Sequence, residues 1–206
     1  MKFFKLVKKN KKINILLSGG TSVEKYLNIF LKSNINWKNI RFYLTDERLT
    51  INKKNQNFFF IKKIFINNKI NPRIIINIKN IKDKKKYIKT KFHLAILGLG
   101  HQGHIASIFK DSRIYNKLTK IKSKPNIFIT EKIGLPFFKR ITVNISLILK
   151  CKVIILFIKN KERLIFLKKI LKNRQFQYPI VNLVAHKKNN FYFFYKNKKI
   201  LLDNIF

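Results

Sequence analysis

Acidic residues are scarce in this chain: eight Asp and Glu stand against 47 Lys and Arg in 206 residues, a formal net charge of +39. Cysteine is scarcer still. Cys151 is alone, so no disulfide can form within the chain, which fits a reducing cytoplasm. Long apolar runs are missing too, and none approaches the roughly 20 residues that cross a bilayer. The N-terminal MKFFKLVKKNKK lacks the apolar stretch and small-residue cleavage site of a signal peptide. With only six glycines and four prolines, any cluster of them is informative, and Gly98, Gly100 and Gly103 fall together.

The charge invites a nucleic-acid reading, but it is spread along the chain rather than gathered in a patch. It travels with abundant Asn, Ile and Phe, which share A/T-rich codons with Lys, so an AT-rich genome accounts for it. No specific nucleic-acid partner and no membrane partner is therefore expected. A chain this basic still attracts anionic metabolites, and RNA nonspecifically at low salt. Apolar residues make up 46% of the chain, enough to build a core and to exclude disorder.

Apolar runs at Ile13–Leu17, Ile40–Leu44, Arg73–Ile78, Leu94–Leu97, Asn126–Thr130, Arg140–Ile145, Lys152–Ile158 and Phe191–Tyr195 read as strands. Between them, Val23, Tyr26, Leu27, Phe30 and Leu31 recur at helical spacing, Phe58–Phe65 reads as a buried helix, and Lys161–Leu171 as a helix with Leu164, Leu167 and Leu171 inward. Ile105–Phe109 can start a helix, Asn80–Lys91 is a surface helix or loop, Asp111–Lys124 a polar connection, and Ile200–Phe206 a short closing helix. Strands alternating with helices, several of them continuously apolar, predict a single α/β domain over 1–206: a mostly parallel, Rossmann-like sheet with helices on both faces.

Three stretches carry candidate chemistry. Ser18-Gly19-Gly20-Thr21-Ser22 joins a strand to a helix and offers backbone N–H groups and hydroxyls to phosphate, or simply caps that helix. Asp46-Glu47-Arg48 ends a strand where the ligand crevice of an open sheet lies; its alternative is a solvated turn with a local ion pair. LAILGLGHQGHIASIF, from Leu94 to Phe109, presents His101 and His104 among three glycines. His104 follows the last of those glycines directly and precedes Ile-Ala-Ser, which singles it out; its plain alternative is a capping or core histidine. His93 and His186 are structural or solvated by default.

Taken in order, these stretches resemble the 6-phosphogluconolactonases, whose superfamily includes glucosamine-6-phosphate deaminase. S-G-G-S-T-P is similar to Ser18–Val23, D-E-R is intact at 46–48, and S-N is matched by Gln56-Asn57. G-x-G-x-D-G-H-T-A-S-L-F-P resembles Gly98–Lys110, R-I-T is Arg140-Ile141-Thr142, and Arg163 stands for the lysine of a G-x-x-K. The resemblance implies hydrolysis of 6-phospho-D-glucono-1,5-lactone to 6-phosphogluconate in the oxidative pentose phosphate pathway, without metal or organic cofactor.

It implies His104 as general base and Arg140, Arg163 and the Gly19-Gly20-Thr21 turn as phosphate holders. Asp46 and Arg48 would shape the same pocket, and backbone around Gly100 and Gly103 would steady the oxyanion. The family aspartate two residues before the histidine is Gln102 here, which removes a carboxylate near His104, and an N-terminal helix is expected to be lost. Two rivals remain: a sugar-phosphate isomerase or deaminase, disfavoured by D-E-R rather than D-E-Y and by the acid missing after His104, and a non-catalytic anion- or RNA-binding protein on this scaffold.

Overall fold

The structure, a computed structural model, describes residues 12–80, 84–186 and 190–200. The basic N-terminal segment, where a helix is expected to be lost, lies outside the described residues, as does the closing helix expected over Ile200–Phe206 except for Ile200, which ends a strand instead. Ten strands occur among those described: β1 (Ile13–Leu17), β2 (Ile40–Leu44), β3 (Asp46–Arg48), β4 (Ile75–Ile76), β5 (Leu94–Gly98), β6 (Ile127–Ile129), β7 (Arg140–Val143), β8 (Val153–Ile158), β9 (Phe191–Tyr195) and β10 (Lys198–Ile200). Seven form one sheet in the order β10-β9-β8-β5-β1-β2-β4, parallel except for the β9–β10 hairpin. The remaining three make a small antiparallel sheet, β3-β7-β6.

Seven α-helices among the described residues accompany them: α1 (Thr21–Leu31), α2 (Asn57–Asn67), α3 (Lys84–Lys89), α4 (Tyr115–Thr119), α5 (Ile145–Leu149), α6 (Lys161–Lys172) and α7 (Pro179–His186). The α/β reading holds. Val23, Leu27 and Leu31 of α1 are buried at a spacing of four residues, the period that keeps one helix face on a sheet. Under α2, Phe65 meets Phe42 of β2 edge to face at 4.9 Å, with both rings fully buried.

Chain order reverses at the centre of the large sheet. From β1 the chain moves outward to β2 and β4, then returns to place β5 on the other side of β1. Loops leaving the carboxyl ends of β1 and β5 diverge there and open a crevice between them. The Ser18 N–H, donated to the Ile96 carbonyl at 2.9 Å, still ties the two strand ends together.

Four local expectations change. The strand expected over Arg73–Ile78 shrinks to β4, because 3-10 turns at Pro72–Ile74 and Ile78–Asn80 bound it on both sides. Ile105–Phe109 does not begin a helix: Ile105 and Ile108 bridge each other across a tight turn with Ala106 at φ 49°. Four of those five residues are buried, whereas a helix on the surface would push part of the run into water. The polar connection contains α4. Ile145 begins α5 rather than ending a strand, because the Asn144 side chain accepts from the Leu147 N–H at 3.1 Å and caps a new helix.

Candidate active site

A cavity of about 340 Å³ occupies the crevice at the switch point. Nine of the ten expected site residues line it: Gly19, Gly20, Thr21, Asp46, Arg48, Gly100, His104, Arg140 and Arg163. The tenth, Gly103, does not. At φ +72° it faces away, and a methyl group on it would meet Phe166 at 3.1 Å and Tyr178 at 3.2 Å, so its smallness serves packing under α6 and α7.

Strand pairing builds the basic wall. In the β3–β7 ladder Asp46 lies opposite Thr142 and Arg48 opposite Arg140, and side chains two apart share a face. Two arginines directly across a ladder repel each other unless an anion lies between them. Arg48 is held by one Nη1 bond to the Asn55 carbonyl at 2.8 Å, and its buried Nε has no protein partner. Arg140, only 3% exposed, is tied through Nε to the Ile133 carbonyl (3.0 Å) and through Nη2 to the Pro136 carbonyl (2.8 Å), over the Phe109 ring. Burial pushes its proton affinity down, and Asp46 partly offsets that.

The same alternation sends Glu47 the other way. It is fully buried and accepts the backbone N–H groups of Arg48, Asn57 and Phe58, each at 2.7 Å, so it caps the N-terminus of α2 instead of facing the crevice. Burial raises its pKa; those three donors oppose the rise. The turn-with-ion-pair alternative for 46–48 is thereby replaced by a strand.

Asp46 is buried and surrounded by neutral donors. Thr45 Oγ1 donates to Oδ1 at 2.9 Å, Ser107 Oγ to Oδ2 at 2.6 Å and Asn57 Nδ2 to Oδ2 at 3.2 Å. Asn57 also explains Gly19: a methyl group there would overlap the Asn57 side chain.

His104 Nδ1 lies 2.6 Å from the His101 carbonyl oxygen. A carbonyl only accepts, so Nδ1 carries the proton and Nε2 is the basic nitrogen. Burial lowers the pKa to about 4; the His101 carbonyl and Asp46 act against that, and Arg140 and Arg163 with it. The ring packs on Phe109 at 4.2 Å between centroids and against Gly100, where any side chain would overlap it. Gly100 donates its N–H to the His104 carbonyl at 2.9 Å, so that N–H is already committed and the oxyanion role expected of it is not supported. Gln102 is exposed, at φ 57°, and does not line the cavity. Among the lining residues Asp46 is the carboxylate.

On the opposite wall the Gly20 N-cap of α1 has φ 91° and no side-chain cap, so the capping expected of Thr21 or Ser22 does not occur. Instead Thr21 Oγ1 accepts from Lys159 Nζ at 3.0 Å, and Arg163 Nη1 donates to Ser22 Oγ (2.6 Å) and the Leu99 carbonyl (2.7 Å). Arg163 thus joins the β1 and β5 loops. Lys54, Lys159 and Ser107 escaped the sequence reading: the lysines are hidden among many others, and Ser107 appeared only as part of Ile-Ala-Ser. His93 accepts the Asn14 N–H at 3.2 Å and is structural. No group of three or more His, Cys, Asp or Glu comes together among the described residues, nor is any described helix long and apolar enough to cross a membrane.

The sequence and the fold both have matches among known proteins. The model of the glucosamine-6-phosphate isomerases/6-phosphogluconolactonase family matches residues 2–193. The chain belongs to this family. A 6-phosphogluconolactonase of Helicobacter pylori strain 26695 is 27% identical over 199 residues, 88% of this chain and 83% of that protein. One from Borreliella burgdorferi is 28% identical over 132 residues, and there the match spans only 55% of the relative's length. The crystal structure of a 6-phosphogluconolactonase from Thermotoga maritima superposes with a TM-score of 0.72 at 27% identity, covering 88% of this chain and 84% of that one.

Proposed function

We propose that the protein is a 6-phosphogluconolactonase of the cytoplasm, hydrolysing 6-phospho-D-glucono-1,5-lactone to 6-phosphogluconate in the oxidative pentose phosphate pathway. The observation that carries the reading is His104: its Nδ1–H is fixed on the His101 carbonyl, and Nε2 is left basic in a cavity walled by Arg48, Arg140 and Arg163.

The substrate phosphate binds among the guanidiniums and the Gly19-Gly20-Thr21 turn, where forked N–H donors and the N-terminus of α1 favour an anion. His104 Nε2 takes a proton from water as the oxygen attacks the lactone C1. The tetrahedral intermediate collapses by breaking the C1–ring oxygen bond, and the protonated His104 returns the proton to that leaving oxygen. One water is consumed and a hydroxy acid results. Developing negative charge sits in the field of the three arginines, which are in place before reaction. Asp46 raises the basicity of His104, standing in for the carboxylate that Gln102 does not supply.

The test is hydrolysis of freshly generated lactone with and without protein, against the spontaneous background. Acceleration that disappears in His104→Ala is the expected result, and no acceleration by the folded wild type would overturn the reading. Ammonia release from glucosamine-6-phosphate would favour the deaminase rival instead. Salt-dependent RNA binding indifferent to His104→Ala would favour the non-catalytic one.

A further inference from the structure

Asp46 and Arg140 are diagonal neighbours on the cavity face of β3 and β7, since Asp46 pairs with Thr142 and Arg140 lies two residues before it. Diagonal partners sit about 7–8 Å apart at Cα, a span a carboxylate and a guanidinium can close. They do not close it: among the described residues the one ion pair within 4 Å is Lys110–Asp111.

Ser107 stands between them, fully buried. Its Oγ donates to Asp46 Oδ2 at 2.6 Å and faces Arg140 Nη1 at 3.5 Å, and its N–H donates to Thr142 Oγ1 at 3.3 Å. A hydroxyl has one proton to give and lone pairs to accept with, so it satisfies the carboxylate on one side and the guanidinium on the other. Both charges are also tethered from behind, Asp46 by Thr45 and Asn57, and Arg140 by the Ile133 and Pro136 carbonyls.

We propose that Ser107 is a positioning residue that keeps Asp46 and Arg140 from collapsing into a direct ion pair, so that the guanidinium stays turned to the substrate anion and the carboxylate to the catalytic side of the cavity. The inference rests on the anion-binding role given to Arg140 above. A direct pair would neutralise the cavity's carboxylate and one of its cations together, weakening the attraction for a phosphate.

The test is a double-mutant cycle read by calorimetric titration of inorganic phosphate into the full chain: wild type, Ser107→Ala, Asp46→Asn and both together. Ser107→Ala is expected to weaken phosphate about tenfold or more. In the double variant the collapse partner is neutral, so affinity returns to within about threefold of Asp46→Asn alone. A merely structural role for Ser107 would leave the loss in place whatever residue 46 is. Unchanged affinity in Ser107→Ala, or a loss that persists undiminished in the double variant, overturns the proposal. Should Ser107→Ala fail to fold, Ser107→Cys, whose thiol is a weak donor of similar size, enters the same cycle. Phosphate affinity unaltered in Arg140→Ala would instead remove the role of Arg140, and a wild type that binds phosphate without hydrolysing lactone would remove only the lactonase reading.

Discussion

Arg48 and Arg140 lie directly opposite each other in the β3–β7 ladder, two cations on one face with a cavity in front of them. The empty protein therefore carries a repulsion that an anion relieves. Inorganic phosphate should raise Tm in a concentration-dependent way, as any ligand of the native state does. Arg48→Ala should abolish most of that shift and raise KM about 10–100-fold with little change in kcat, the loss of one charge-assisted contact. A phosphate-induced shift of wild-type size in Arg48→Ala would count against the anion site.

His104 titrates low, at about 4, chiefly because burial disfavours its cation. The base is thus available at every pH above that value, and an NMR titration of the His104 ring in the unliganded protein should show it neutral down to about pH 5. The unfolded histidine takes a proton near pH 6.5 and the folded one resists until about 4, so this residue's contribution to stability is full above pH 6.5 and is lost as pH falls between those values. A ring that protonates above pH 6 would contradict the geometry.

Gly100 presses on the His104 ring so closely that Gly100→Ala must displace it. Because catalytic geometry tolerates little error, kcat should drop on the order of 100-fold or more, while a thermal melt shows the chain still folded. Retained kcat would show that the ring position is not critical.

Glu47 is the structural member of its triplet. Glu47→Ala strands three backbone donors, those of Asn57 and Phe58 at the start of α2 and that of Arg48 in β3, a loss on the order of 3 kcal/mol. A fall in Tm of roughly 6–12 °C is expected at this chain length. Phosphate affinity measured below that transition should remain near wild type, because Glu47 does not line the cavity. Weakened phosphate binding in the folded variant would reassign Glu47 to the site.

What local sequence could determine, it did. β5 and β8 are continuous apolar runs and each forms where the run stands, because a strand buried on both faces needs apolar side chains along its length; β1 and β2, interrupted only by Asn14 and Arg41, form where their runs stand as well. Turns containing Gly19, Gly20, Gly98 and Gly100 follow β1 or end β5, and nine of ten expected site residues meet in one cavity because a parallel sheet gathers its carboxyl ends on one side. Long-range register was the tertiary structure's to decide. Whether Glu47 or Arg48 faces the cavity depends on how β3 pairs with β7, some 90 residues away, since a shift of one residue would exchange the two faces. The same kind of distant packing turned Gly103 toward Phe166 and Tyr178, folded Ile105–Phe109 into a buried turn, and set Ser107 between Asp46 and Arg140. Composition and spacing choose the elements; only the packed sheet chooses which side chains of distant strands share a wall.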